Sequence, residues 1–375
     1  MDFKTPGRHK DWQSFQSHWT QVAPDMSSHA ELFGAEGALA QPYSLGDRVI
    51  GNRWAIHPME GWDATPEGLP SVDTLRRWQR FGESGAKLIW GGEAVAVTAA
   101  GRANPHQLHI NPNANTVGGL RTLRQSLVEA HKEECGSTED LSIGLQLTHS
   151  GRFCRPTQAG PAPRIAYRHP VLDQRAGVTS DRALLTDTEL DDLTGDYVNA
   201  AIIAQQAGFD FVDVKCCHGY LLHELLGAKT RPGPYGGSLE NRTRFFRNAV
   251  EAIRSACPGL DVAVRVSIGD LFPFSPGSDR SGEPIGWDSH LPYSYGFGVD
   301  DQDPRQVNLE ESFQFLQLVQ DLNIRLVNLT LGSPYYNPHL QRPAAYPPSD
   351  GYQPPADPLM QVAEHLRITR QCKAA

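Results

Sequence analysis

From about residue 48 onward the chain alternates short apolar runs with amphipathic, well-capped segments, and that alternation restricts it to the α/β class. The runs Arg53–His57, Lys87–Trp90, Leu141–Leu147, Phe209–Lys215, Asp261–Val266 and Arg325–Leu331 predict strands. Thr186-Asp-Thr-Glu189 is a capping box ahead of Leu190, Leu193, Tyr197, Ala201 and Ala204, which recur at helical spacing, and Gly208 ends that helix. Asn308-Leu-Glu-Glu311 opens a second helix with Phe315, Val319 and Leu322 on one face. Asp357-Pro358 places an N-cap before a proline at the first helical position. Two parallel-sheet architectures then compete, a doubly wound open sheet and a (β/α)8 barrel. The first strand runs into His57-Pro-Met-Glu-Gly61 rather than a G-x-G-x-x-G turn. Chemically capable residues stand instead at the ends of several different strands, which favours the TIM-type barrel.

The 375 residues suffice for one such barrel with a full core. Residues 1–47 read as an N-terminal extension and residues 48–375 as the barrel domain. Three inserts read as ordered loops over the barrel mouth: Ser150–Asp181, rich in proline, arginine and histidine, Phe272–Pro304, rich in glycine, proline and aromatic residues, and the proline-dense Tyr335–Pro358. A formal net charge of −9 argues against nucleic acid or an anionic membrane as the main partner. None of the six cysteines forms a C-x-x-C pair, so no metal site is expected. With no apolar leader and no membrane-length run, a cytoplasmic setting is the default expectation.

Residues two apart on a strand share a face. Gln146 and Thr148 therefore point together, as do Ala263, Arg265 and Ser267. A glutamine and an arginine aimed into a barrel need polar partners. A ligand supplies them on one reading; an internal salt bridge for Arg265 and a capping role for Gln146 supply them on the other. Lys215, His218 and Tyr220 crowd the loop after Phe209–Lys215, where parallel α/β folds carry their sites.

Several of these segments resemble the Old Yellow Enzyme family of FMN oxidoreductases. The resemblance rests on Pro58-Met59, Gln146-Leu-Thr-His-Ser-Gly-Arg152, the Lys215-Cys-Cys-His-Gly-Tyr220 stretch, Tyr235-Gly-Gly-Ser-Leu-Glu-Asn-Arg242 and Val264-Arg-Val-Ser267. It implies that Pro58, Met59, Glu60, Gly92, Gln146 and Arg265 surround the flavin, with Gln146 and Arg265 on its ring edge. It also implies that Lys215 and His218 bind the acceptor and that Tyr220 donates a proton. NAD(P)H would reduce the flavin, which would pass hydride to an activated alkene or similar acceptor.

Two positions depart from the family pattern. Lys215 stands where the family has histidine, and Glu60 where it has threonine, serine or cysteine. Asp213, two residues before Lys215, is a candidate partner for it. Glu60 is expected either to disfavour flavin reduction or to turn to a basic partner. Gly91-Gly92 also reads as a plain strand-to-loop turn. About six βα units are visible where a barrel has eight. That leaves a truncated, flavin-free remnant, one piece of a split barrel completed by a homo-oligomer or complementing chain at an open edge, or a barrel closed by other means, as expectations beside the full enzyme. A Schiff-base lyase or aldolase using Lys215 is the second enzymatic reading.

Overall fold

The computed structural model describes residues 3–29, 31, 33–349 and 351–375. Its main sheet contains β1 (Ala55–Ile56), β2 in two pieces (Leu88–Ile89 and Ala94–Ala96), β3 (Ser142–Thr148), β4 (Phe211–Val214), β5 (Asp261–Ser267) and β6 (Leu326–Thr330). Each strand pairs in parallel with the next in chain order. This order is that of a barrel wall; a doubly wound sheet would reverse direction part-way. Helices α1 (Val72–Glu83), α2 (Thr116–Cys135), α3 (Asp187–Ala207), α4 (Arg244–Ala256) and α5 (Glu310–Asp321) make the crossovers, and α6 (Pro358–Ala374) follows β6.

Every expected strand is present. The second differs in being interrupted, because Gly91 and Gly92 adopt φ of 110° and 48° and turn the chain between its two pieces. The caps read from the sequence also form. Thr186 accepts the Glu189 N–H and is bonded in return, Gly208 closes α3 at φ 94°, and Asp357 accepts the Leu359 N–H ahead of α6.

Alternation along the strands sorts the side chains into two sets. Val212, Val214, Val262, Val264 and Val266 face outward and join the helices in the principal core. Phe211, Ala263 and Leu326 face inward and meet Trp90 as an apolar floor. Leu45 and Ile50 close that floor from below, carried by a hairpin in which Tyr43–Leu45 pairs with Arg48–Ile50. Gln146, Asp213, Arg265 and Asn328 form the next layer up, with Gln146 opposite Asp213 and Asn328 opposite Arg265 in the ladders. Polar chemistry is thus held one residue-pair above a sealed hydrophobic base.

The N-terminal helix Trp12–Val22 packs on α6 through Trp19 and Ala363. His18 bonds Asp357 at 2.9 Å and Arg367 bonds Asp25 at 2.6 Å. The three inserts are tied to one another and to the barrel. Buried Arg152 donates to Glu224 at 2.7 Å and also bonds Asp173, and His169 contacts the Tyr293 hydroxyl at 3.1 Å. Phe274 packs on His339 with ring centroids 4.5 Å apart.

The floor depends on a glycine. A Cβ at Gly144 would lie 2.2 Å from the Phe211 ring, so the close approach of β3 and β4 side chains needs this position empty. Gly144→Ala is expected to lower stability by about 1–3 kcal/mol through overpacking, read as a reduced urea midpoint with an unchanged slope.

Candidate functional site

A cavity of about 1080 Å³ opens above the polar layer, at the carboxyl ends of the strands. Its lining includes Pro58, Met59, Glu60, Gln146, Lys215, His218, Tyr220 and Arg265. Eight of the nine residues singled out from the sequence therefore converge on one space. Gly92 does not line it. A side chain there would meet Trp78 and Phe81 at 3.1–3.2 Å, so this glycine serves the turn in β2 and its packing against α1.

Asp213 organises the base of the cavity. It is fully buried and accepts the Trp90 indole N–H at 2.8 Å, the Gln146 amide at 2.6 Å and the Arg265 backbone N–H at 2.7 Å. Burial pushes its carboxyl up, and these three donors act in the opposite direction. The expected pairing of Asp213 with Lys215 is not found. Residues two apart on a strand are separated by about 6.6 Å, so Asp213 turns to its lateral neighbours while Lys215 extends upward. Arg265 donates to the Pro58 carbonyl at 3.3 Å, which fixes the loop after β1, and its Nε is buried with no partner among the described residues. His57 and Asn328 meet at 2.8 Å, bringing the ends of β1 and β6 together.

The partner of Lys215 is Glu60. The ammonium lies 3.0 Å from Glu60 Oε1 and 3.9 Å from the centre of the Tyr220 ring. Glu60 Oε2 accepts the Tyr220 hydroxyl at 2.7 Å and the Trp62 indole N–H at 3.2 Å. Side-chain exposures of 5% for Lys215 and 9% for Glu60 make this a buried ion pair rather than a surface one. The two unusual residues thus answer each other: of the two outcomes open for Glu60, it turns to a basic partner. The loop that carries it is anchored by Glu93, which accepts the Gly61 N–H at 2.9 Å and an Arg77 N–H at 2.6 Å. Burial raises the Glu93 carboxyl to about 7.

His218 adopts φ 66°, an unusual conformation for a residue with a side chain. It is held from both ends, its N–H donating to Ser267 Oγ at 3.0 Å and its carbonyl accepting the Ser333 hydroxyl at 2.7 Å. Burial, then the positive charges of Arg265 and Lys215, drives its imidazole well below the usual range, so the ring is neutral near pH 7. Tyr220 is the N-cap residue of the short helix Leu221–Leu226. Burial and then the Glu60 carboxylate hold its phenol well above the usual range.

Among the cavity residues that the sequence reading did not single out, Trp62 belongs to no recognisable motif. Tyr335 lies in the expected proline-rich insert after β6, but nothing local marks its hydroxyl, which meets that of Tyr220 at 2.8 Å. The outer wall is built by prolines 276, 334, 338, 347, 348 and 354 with Phe274 and Tyr352.

Comparisons with known proteins show the family and the fold. The model of the NADH:flavin oxidoreductase / NADH oxidase family matches residues 38–281. An NADPH dehydrogenase of Geobacillus sp. (strain WCH70) is 30% identical over 247 residues, covering 64% of this chain and 65% of the relative. An NADH:flavin oxidoreductase, FG08077, of Gibberella zeae is 30% identical over 197 residues, covering 48% of this chain and 45% of the relative. The chain thus spans less than two thirds of the length of these curated relatives. Among solved structures, Old Yellow Enzyme from Pichia sp. AKU4542 superposes with a TM-score of 0.58 at 21% identity, over 79% of this chain and 72% of that one. A 2-naphthoyl-CoA reductase complex gives 0.59 at 18% identity, over 80% and 41%. These likenesses establish the TIM-type barrel fold.

Two outcomes follow from the ion pair. Lys215→Met leaves Glu60 buried without its cation and is expected to cost about 3–5 kcal/mol; adding Glu60→Gln should recover much of that loss in urea unfolding. Glu60→Gln alone removes a negative charge that disfavours the Tyr220 phenolate. The Tyr220 ionisation should therefore move to lower pH, followed at 295 nm by difference against Tyr220→Phe.

Proposed function

The chain belongs to the NADH:flavin oxidoreductase / NADH oxidase family, and from that membership we propose that it is an FMN-dependent oxidoreductase using NAD(P)H. The observation that carries the reading is the base of the cavity. Arg265 has a buried, unpartnered Nε, and Gln146 Oε1 has no partner among the described residues. Together they offer donors and an acceptor to the polar edge of a planar heterocycle, and the cavity has room for one. Asp213 pre-sets both groups, because it holds the Gln146 amide and the backbone of Arg265. The residues present therefore fit the ring edge of FMN. When bound, FMN would supply the redox chemistry, taking hydride from the nicotinamide and passing it to an electron-poor alkene or similar acceptor.

The chain's own part is binding and proton handling. Pro58 and Met59 would lie against the ring, and His218 would hold the acceptor's electron-withdrawing group with Lys215. Tyr220 would supply the proton. Glu60 modifies this assignment, since at rest it holds both the Lys215 ammonium and the Tyr220 hydrogen. An acceptor must share or displace those bonds, which favours ligands with a strong hydrogen-bond acceptor over weakly polar ones. The Schiff-base reading is less well supported: the Lys215 nitrogen is engaged by a carboxylate and a ring face, not presented to the cavity as an amine nucleophile.

Residues 48–375 would form the oxidoreductase domain, although the strand Arg48–Ile50 pairs back onto Tyr43–Leu45 in the proposed extension. All six cysteines are free, which supports a reducing, cytoplasmic setting; no described helix is long and apolar enough to cross a membrane. Ala55–Ile56 and Leu326–Thr330 each have a single sheet partner among the described residues, which supports a homo-oligomer or complementing chain at those edges. Light scattering of the purified chain checks this, and a monodisperse monomer would overturn it.

The test of the function is the visible spectrum of the purified protein and the mass of any released pigment. Bound FMN is expected. Gln146→Ala and Arg265→Ala should each weaken FMN uptake by about tenfold or more, equivalent to about 1.4 kcal/mol. A colourless protein that takes up no added FMN would sink the reading.

A further inference from the structure

Tyr220 has one hydroxyl hydrogen, and the structure commits it. Glu60 Oε2, 2.7 Å away, accepts that hydrogen. The contact between the Tyr220 and Tyr335 hydroxyls at 2.8 Å must then run the other way, with Tyr335 donating. The hydrogen bonds form an ordered chain from Tyr335 to Tyr220 to Glu60. Its outer residue lines the cavity, and Tyr335 as a whole is 37% exposed whereas Tyr220 is 3% exposed. The outer ring is also held in place. Tyr335 stacks on Phe153 at 3.9 Å between centroids and 13° between planes, and its backbone N–H donates to Ser333 Oγ at 3.2 Å. The same Ser333 hydroxyl donates to the His218 carbonyl at 2.7 Å, so one serine fixes both the relay ring and the acceptor-binding loop.

We propose that Tyr335 is a relay residue that reloads Tyr220 with a proton from solvent. The inference rests on the proposed role of Tyr220 as proton donor. When bound, reduced FMN would supply hydride, with its two electrons, to one carbon of the acceptor. The neighbouring carbon takes the Tyr220 proton as the O–H bond breaks and a C–H bond forms. The phenolate left on Tyr220 takes the Tyr335 proton along the existing 2.8 Å contact. Tyr335 recovers its own proton from water at the mouth. One solvent proton is consumed per turnover, and buried Tyr220 needs no direct water access.

Tyr335→Phe tests this, because it keeps the ring stack on Phe153 and removes only the hydroxyl. In flavin-free protein carrying ¹³Cζ-labelled tyrosine, the hydrogen–deuterium exchange rate of the Tyr220 hydroxyl should fall by about tenfold or more in the variant. In the flavin-loaded enzyme, flavin reduction by NAD(P)H should stay within about twofold of wild type. Turnover with acceptor should fall by about tenfold or more. Unchanged hydroxyl exchange at Tyr220 would overturn the relay, since the proton would then reach it by another route. The exchange measurement needs neither flavin nor acceptor. Slowed exchange in a protein that binds no flavin would therefore keep the relay while rejecting the oxidoreductase reading.

Discussion

The site depends on a single buried carboxylate. Asp213 stands at the centre of the barrel with no solvent contact, and such a group persists only if its oxygens are bonded. The three donors that satisfy it come from three different strands: Trp90 at the end of β2's first piece, Gln146 on β3 and the backbone of Arg265 on β5. One charge thereby sets the lateral position of the residues that face the cavity. The apolar floor of Phe211, Ala263 and Leu326 below excludes water and makes those bonds obligatory. Rigid chemistry above follows from unforgiving packing beneath.

Above that layer the chain makes a different choice from the family pattern, and makes it twice. A lysine alone at the end of β4 would place a cation among His218, Arg265 and two tyrosines. A glutamate alone after β1 would place an anion against the Tyr220 phenol. Together they form a buried pair whose net charge is zero, with Tyr220 and Trp62 completing the bonding of the carboxylate. Buried pairs contribute little net stability over apolar alternatives, yet removing one partner is costly. Each residue therefore constrains the other, and exchange of one alone is disfavoured.

Much of this was legible in the sequence because it is local. Strand runs, the Thr186 capping box, the Gly208 stop and the Asp357-Pro358 start each depend on neighbours within a turn, and each forms. The convergence of Gln146, Lys215, His218, Tyr220 and Arg265 was legible because strand ends in a parallel barrel share a mouth. What failed was pairing across the mouth. Asp213 lies two residues from Lys215 in the chain, whereas Glu60 lies 155 away, and only the curvature of the wall brings the latter within 3.0 Å. Tyr335 was invisible for the same reason, its hydroxyl meeting a residue 115 positions earlier. Gly92 had two readings in the sequence, a turn and a ligand surface; it does not line the cavity, and Trp78 and Phe81 occupy the space its side chain would need.

The outer cavity limits what the inner site can meet. Six prolines line it, and a proline presents no backbone N–H. With Phe274 and Tyr352 between them, the prolines give this wall apolar surface, interrupted by the polar side chains of Arg175, His339, Gln341 and Arg342, whereas the base brings Lys215, His218, Tyr220 and Arg265 into close array. The ties of Arg175 to the Phe274 carbonyl at 2.8 Å and to Ser275 Oγ at 2.7 Å join two of the three inserts. Two of the inserts that build the wall are thus cross-linked to each other, so the outer cavity is held by side-chain bonds as well as by the packing of its rings.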